Sequence, residues 1–163
     1  MSSASQASRN GKGLSRSQAR LAAVQALYQM DLAETDLAAV IEEFKTHRLG
    51  SETDNGTGAE ADPKHFADVL RGVVRRQREI DPLIDQQLAE GWRLTRIDSI
   101  LRAILRAATY ELAELSGVPP RVIISEYIDV AHAFFEGDES RVVNGVLDSL
   151  ARKLRPGELP ERG

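Results

Sequence analysis

The stretch IDSILRAILRAATYELAEL, residues 97–115, decides the fold class. Ile97, Ile100, Leu101, Ile104, Leu105, Ala108, Leu112 and Leu115 recur at the three- and four-residue spacing of a helix. The stripe is wide enough to predict the central helix of a core, starting from about Arg96. Downstream, Ser116-Gly117 and Pro119-Pro120 close it and open another helix, in which Val122, Ile124, Tyr127, Ile128, Ala131 and Phe135 face inward. Val122-Ile123-Ile124 alone also suits a strand, but no second strand signal exists to pair with it. After Glu136-Gly137-Asp138, a last helix from about Ser140 to Leu154 carries Val142, Val143, Val146, Leu147, Leu150 and Leu154.

Upstream, a first helix is predicted from Ser15, whose spacing to Gln18 makes a capping box, with Leu21, Val24, Leu27 and Tyr28 on one side. Asp36 can cap a second helix. Residues 50–62 are polar and without period, which predicts a mobile loop, and Asp62-Pro63 starts a third helix. Asp81-Pro82 is expected to end that one and begin a fourth, which stops near Gly91 and leaves Trp92 and Leu94 to pack across a short connection. The expectation is an all-α chain of about seven helices in a two-subdomain bundle over residues 15–156. A flexible tail, 1–14, precedes it and a polar one, 157–163, follows.

One place resists this patterning. Asn144 and Gly145 fall inside the last helix, where Gly costs about 1 kcal/mol relative to Ala. Either Gly145 lets another helix pack closely, or backbone there approaches a ligand.

Composition excludes several classes. The chain has no cysteine, which removes disulfides, thiolate zinc sites and thiol nucleophiles. Neither a secretory signal nor a run of 18 apolar residues is found, so a cytoplasmic protein off the membrane is expected, and Asn55-Gly56-Thr57 is discounted as a glycosylation acceptor. The net charge of -4 argues against a protein that coats nucleic acid through bulk electrostatics. Charge is nonetheless segregated. Residues 1–33 hold Arg9, Lys12, Arg16 and Arg20 against Asp31 alone, and residues 71–106 hold eight arginines against five acids. Solvated helix faces that happen to cluster would give the same pattern.

No catalytic constellation emerges. A phosphate-cradling glycine loop, a zinc-binding helix and a nucleophile elbow are all missing. His47, His65 and His132 share no ligand spacing, so neither metal nor cofactor is expected. The acidic pairs Glu42-Glu43 and Asp138-Glu139 make a weak case for acid–base work.

Three stretches carry a resemblance: Arg20 to Tyr28; Ile104 to Leu112 with the following Val118-Pro119-Pro120 and Ile123 to Ala131; and Arg141 to Asp148. In this order and at this spacing, from about Arg16 to Pro156, the chain resembles the NusB family of bacterial transcription antitermination factors. The resemblance implies a helical protein that performs no chemistry. It would bind the single-stranded boxA element of nascent RNA together with a small-subunit ribosomal protein, NusE, in an RNA polymerase complex. The implied RNA contacts are Arg16, Arg20, Gln25, Tyr28, Asp138, Arg141 and Asn144. Such residues suit RNA, because cationic side chains reach phosphates, a ring stacks on an unpaired base, and an amide reads a base edge. Family members often carry a denser arginine cluster where this chain has Ser17, Gln18 and Ala19. Arg106 and Tyr110, one turn apart, are candidates for the ribosomal partner, with a supporting role in the core as the competing reading. Two rivals remain: a detached RNA-binding module of a ribosomal RNA cytosine methyltransferase, and a helical homodimeric scaffold without RNA.

Overall fold

The structure, a computed structural model, describes residues 2–49 and 61–161, with side chains from Arg16 onward. The helices are α1 (Ser2–Ala33), α2 (Leu37–His47), α3 (Pro63–Asp85), α4 (Ser99–Glu114), α5 (Pro120–Phe134) and α6 (Glu139–Leu154), with a 3-10 turn at Leu94–Arg96. Among the described residues there is no strand, so Val122 to Ile124 belong to a helix.

Three expectations need correction. α1 begins at Ser2 and not at Ser15, because once a turn exists each added residue costs little, and the residues before Ser15 hold no proline. Among the described residues six helices stand where about seven were expected, since α3 runs through Pro82. Proline removes the bond to the carbonyl of Arg78, but both residues are exposed, so water can satisfy that carbonyl. Leu88 then falls in a turn. Asp85 ties the connection down by accepting a hydrogen bond from the Leu94 amide at 2.8 Å, which buries Leu94 while Trp92 stays 51% exposed. The loop expected at 50–62 lies, up to residue 60, outside the described residues.

The chain divides into two compact units, residues 1–71 and 72–163. In the first, α1 packs against α2. Asp36 caps α2 as expected, accepting from the Ala39 amide at 3.3 Å. Asp62 caps α3 the same way, accepting from the amides of Lys64 and His65. Phe44 stacks on Phe66 with ring centroids 5.3 Å apart, and the Arg48 guanidinium lies over the Phe44 ring.

In the second unit α4, α5 and α6 pack on one another, and the stripe on α4 is the centre that the sequence predicts. Asp98 starts α4 by accepting from the amides of Ile100 and Leu101, two residues beyond the expected Arg96. Inside α5 the buried side chains are Pro120, Ile123, Ile124, Tyr127, Val130 and Ala131; Val122 is exposed, and Ile128 and, just past the helix, Phe135 are half-buried.

The end of α4 is completed by a side chain from far along the chain. Arg155, just past α6 and buried, donates to the carbonyls of Glu111, Leu112, Leu115 and Val118. Those include carbonyls that a helix C-terminus leaves without intrahelical partners, and a guanidinium also suits the negative end of the helix dipole. Beside it, buried Glu111 accepts from the Tyr127 hydroxyl and so joins α4 to α5.

Candidate nucleic-acid interface

The candidate residues fall into two groups, one in each unit. On α1, Arg16 is exposed, Gln25 and Tyr28 are half-buried, and Arg20 is buried at 3% exposure. Arg20 shares its helical row with Val24 and Leu27, which are both buried. The two arginines are therefore not equivalent in exposure. Arg16 can meet an anion from solution; Arg20 belongs to the packed side of the helix. The spacing Arg20, Val24, Leu27 was the available signal, outweighed by the residue type.

In the second unit, Asp138, Arg141 and Asn144 are all exposed at the start of α6. Asp138 and Arg141 approach to 4.0 Å with side chains 89% and 86% exposed, an ion pair too solvated to fix either group. The buried side of α6 is Val143, Val146, Leu147, Leu150 and Ala151, so Arg141, Asn144 and Gly145 form the opposite, solvent-facing side. A Cβ placed on Gly145 would meet nothing within 4 Å. Close helix packing therefore does not explain this glycine.

Arg106 and Tyr110 turn inward. Arg106 holds Asp81 with two hydrogen bonds of 2.9 and 2.8 Å, the planar fork geometry that an arginine gives a carboxylate. Tyr110 is 3% exposed, and its ring lies where a Cβ on Gly72 would be. Both side chains face the core, in keeping with the competing reading of them as supporting residues. Gly72 is the glycine that does permit close approach; its place inside an ordinary amphipathic pattern gave no sign of that.

The exposed polar side of α6 thus carries an asparagine and a glycine that packing does not require. The sequence profile of the NusB family matches residues 17–152. The chain belongs to the NusB family. It is 54% identical over 140 residues to the transcription antitermination protein NusB of Allorhizobium ampelinum, covering 86% of this chain and 88% of that relative. Among solved structures it is similar to T. maritima NusB, with a TM-score of 0.73 and 32% identity over 88% of this chain and 94% of that one. A solved complex of antitermination factors NusB and NusE with double-stranded RNA shares the fold, with a TM-score of 0.70 and 22% identity over 85% of this chain and 96% of that chain. The six helices are thus those of NusB proteins. Among the described residues no helix is long and apolar enough to cross a membrane.

Proposed function

We propose that this chain is an RNA-binding transcription antitermination factor. It engages boxA-type single-stranded RNA together with the ribosomal protein NusE, within an RNA polymerase complex in the cytoplasm, and catalyses no reaction. The observation that carries this is the name transcription antitermination protein on a relative 54% identical across most of both chains. Arg141, Asn144 and Gly145 support it, because the fold gives them no other work. Filter binding of boxA against scrambled RNA, with and without NusE, tests it. Equal retention of both RNAs under all conditions refutes it.

The two arginines of α1 separate cleanly. Arg16→Ala weakens boxA and scrambled RNA alike and lowers the salt slope by about 0.7, the value for one single-strand phosphate contact. Arg20→Ala instead lowers the melting temperature, since a 3% exposed side chain leaves a hole and unsatisfied partners behind. A salt titration and a thermal melt on each variant decide; the reverse assignment of effects overturns the division.

Tyr28 and Asn144 differ in kind. Tyr28→Ala costs about 1–3 kcal/mol of RNA affinity and Tyr28→Phe almost none, because stacking uses the ring face. Asn144→Ala narrows the gap between boxA and scrambled RNA, since a lost base-edge hydrogen bond penalises the matched sequence alone. Folded variants that bind boxA like the parent would remove both residues from the site.

A further inference from the structure

Asn144 and Gly145 carry a chemistry that binding alone does not use. The backbone nitrogen that follows an asparagine can attack that residue's own side-chain carbon, and a glycine there presents no Cβ to crowd the ring that forms. All three asparagines of the chain, Asn10, Asn55 and Asn144, precede a glycine. Of these, Asn144 is the one whose side chain lies among the described residues.

Its side chain is exposed, and no hydrogen bond or ion pair holds the carboxamide among the described residues. Gly145 is exposed as well, with open space where a side chain would be. The start of α6 before them is weakly fixed. The Asp138 side chain makes no cap hydrogen bond, and the amides of Arg141 and Val142 share the Asp138 carbonyl at 3.0 and 3.3 Å. Glu139, in the same turn, keeps one carboxylate oxygen buried without a hydrogen-bond partner among the described residues, a cost that falls away when the turn opens. Buried Val143, Val146 and Leu147 hold the helix closed. While it is closed, the Gly145 amide is committed to the helical hydrogen-bond ladder and cannot reach the carboxamide. Local opening of α6 from its N-terminal end is therefore the gate.

We propose that Asn144 is a spontaneous deamidation site, gated by the opening of α6, that retires the RNA surface of an idle molecule. The Gly145 nitrogen bonds to Asn144 Cγ. The bond from Cγ to the side-chain nitrogen breaks, and the proton lost by Gly145 passes through solvent to the departing ammonia. Water then adds to either carbonyl of the resulting succinimide and opens it to aspartate or isoaspartate, with no change of oxidation state. Both products set a carboxylate where a neutral amide stood, which repels phosphates and offers no N–H to a base edge. Isoaspartate also lengthens the backbone by a methylene, which breaks the register of α6. The loss of recognition rests on the RNA-binding reading above, whereas the modification itself does not. RNA seated on this face holds α6 closed, so a molecule at work is protected.

The test incubates the full chain in warm, mildly alkaline buffer, alone, with boxA RNA and NusE, and in urea. Trypsin cuts after Arg141 and Arg152, so Asn144 leaves in a peptide of its own, and mass spectrometry follows the loss of its amide separately from Asn10 and Asn55. The native chain converts at Asn144, faster as pH rises, and more slowly than the chain in urea, where no helix gates the attack. A tenfold excess of boxA over its dissociation constant, with NusE present, slows the native rate roughly tenfold. Asn144→Gln resists conversion, because its longer side chain closes a larger and slower ring. Asn144→Asp binds boxA more weakly than Asn144→Ala, because a charge repels where a methyl only withdraws a contact. An Asn144 that stays intact in the native chain while converting in urea overturns the proposal, since α6 then never opens to the reaction. Equal rates in both overturn the gate. Conversion that bound boxA leaves unslowed, with the RNA retained in filter binding, overturns the link to recognition. If no RNA binds with NusE present, the RNA-binding reading falls and the loss of recognition with it, while the mass of the Asn144 peptide still decides the modification.

Discussion

Replacing Arg155 with Ala destabilises the protein by about 3–5 kcal/mol, the largest effect expected from any single truncation outside the apolar core. The residue is 6% exposed, and its guanidinium serves four backbone carbonyls at and beyond the end of α4. Without it the Glu111 and Leu115 carbonyls keep the amides of Leu115 and Val118, but those of Leu112 and Val118 lose their side-chain donor, and each unsatisfied buried acceptor costs about 1–3 kcal/mol before relaxation admits water. At this chain length 1 kcal/mol corresponds to about 2–4 °C, so a calorimetric melt falls by roughly 10 °C. Arg155→Lys recovers only part of the loss, because an ammonium cannot span carbonyls that a planar five-donor fork reaches together. A melt within a degree or two of the parent would show that the contacts contribute nothing net. The consequence reaches function. α6 is anchored through the residue that follows it, and its opposite end carries Arg141 and Asn144.

Gly72→Ala is expected to be nearly as damaging, at about 3 kcal/mol, the upper end of the overpacking range. The added methyl would occupy the position of the Tyr110 ring, and that ring is 3% exposed with no open side to swing toward. A double-mutant cycle identifies the cause. If the ring is what the methyl strikes, Gly72→Ala costs much less in a Tyr110→Leu background than in the parent, with a coupling energy of about 0.5–3 kcal/mol. Additive losses would place the damage in the helix backbone instead, where an alanine should help.

What could be read in the sequence was whatever depends on neighbours along the chain. The stripe from Ile100 to Leu112, the Asp36 cap and the exposed polar side at Arg141 and Asn144 follow from helical spacing and local hydrogen bonding. What escaped the sequence depends on partners distant along the chain. Arg155 reaches back by 37 to 44 residues, and Gly72 answers to Tyr110. Nothing in the local pattern around either announces its partner. Pro82 misled for a different reason: the penalty attached to proline is real, but it falls on the exposed carbonyl of Arg78 where solvent can absorb it. Arg106 and Arg20 show how charge alone fails to place a side chain. Both are basic, and both are drawn inward, one by Asp81 and one along the row of Val24 and Leu27.

Gly145 has a consequence for any attempt to make this protein hardier. It sits inside α6, faces solvent, and has open space where a methyl would go, so alanine there is the kind of change that a screen for heat resistance rewards first. On the RNA-binding function proposed above, such a screen, blind to RNA, trades recognition for robustness in one step. A lineage evolved under heat alone would arrive at a sturdier helix that had closed its own doorway.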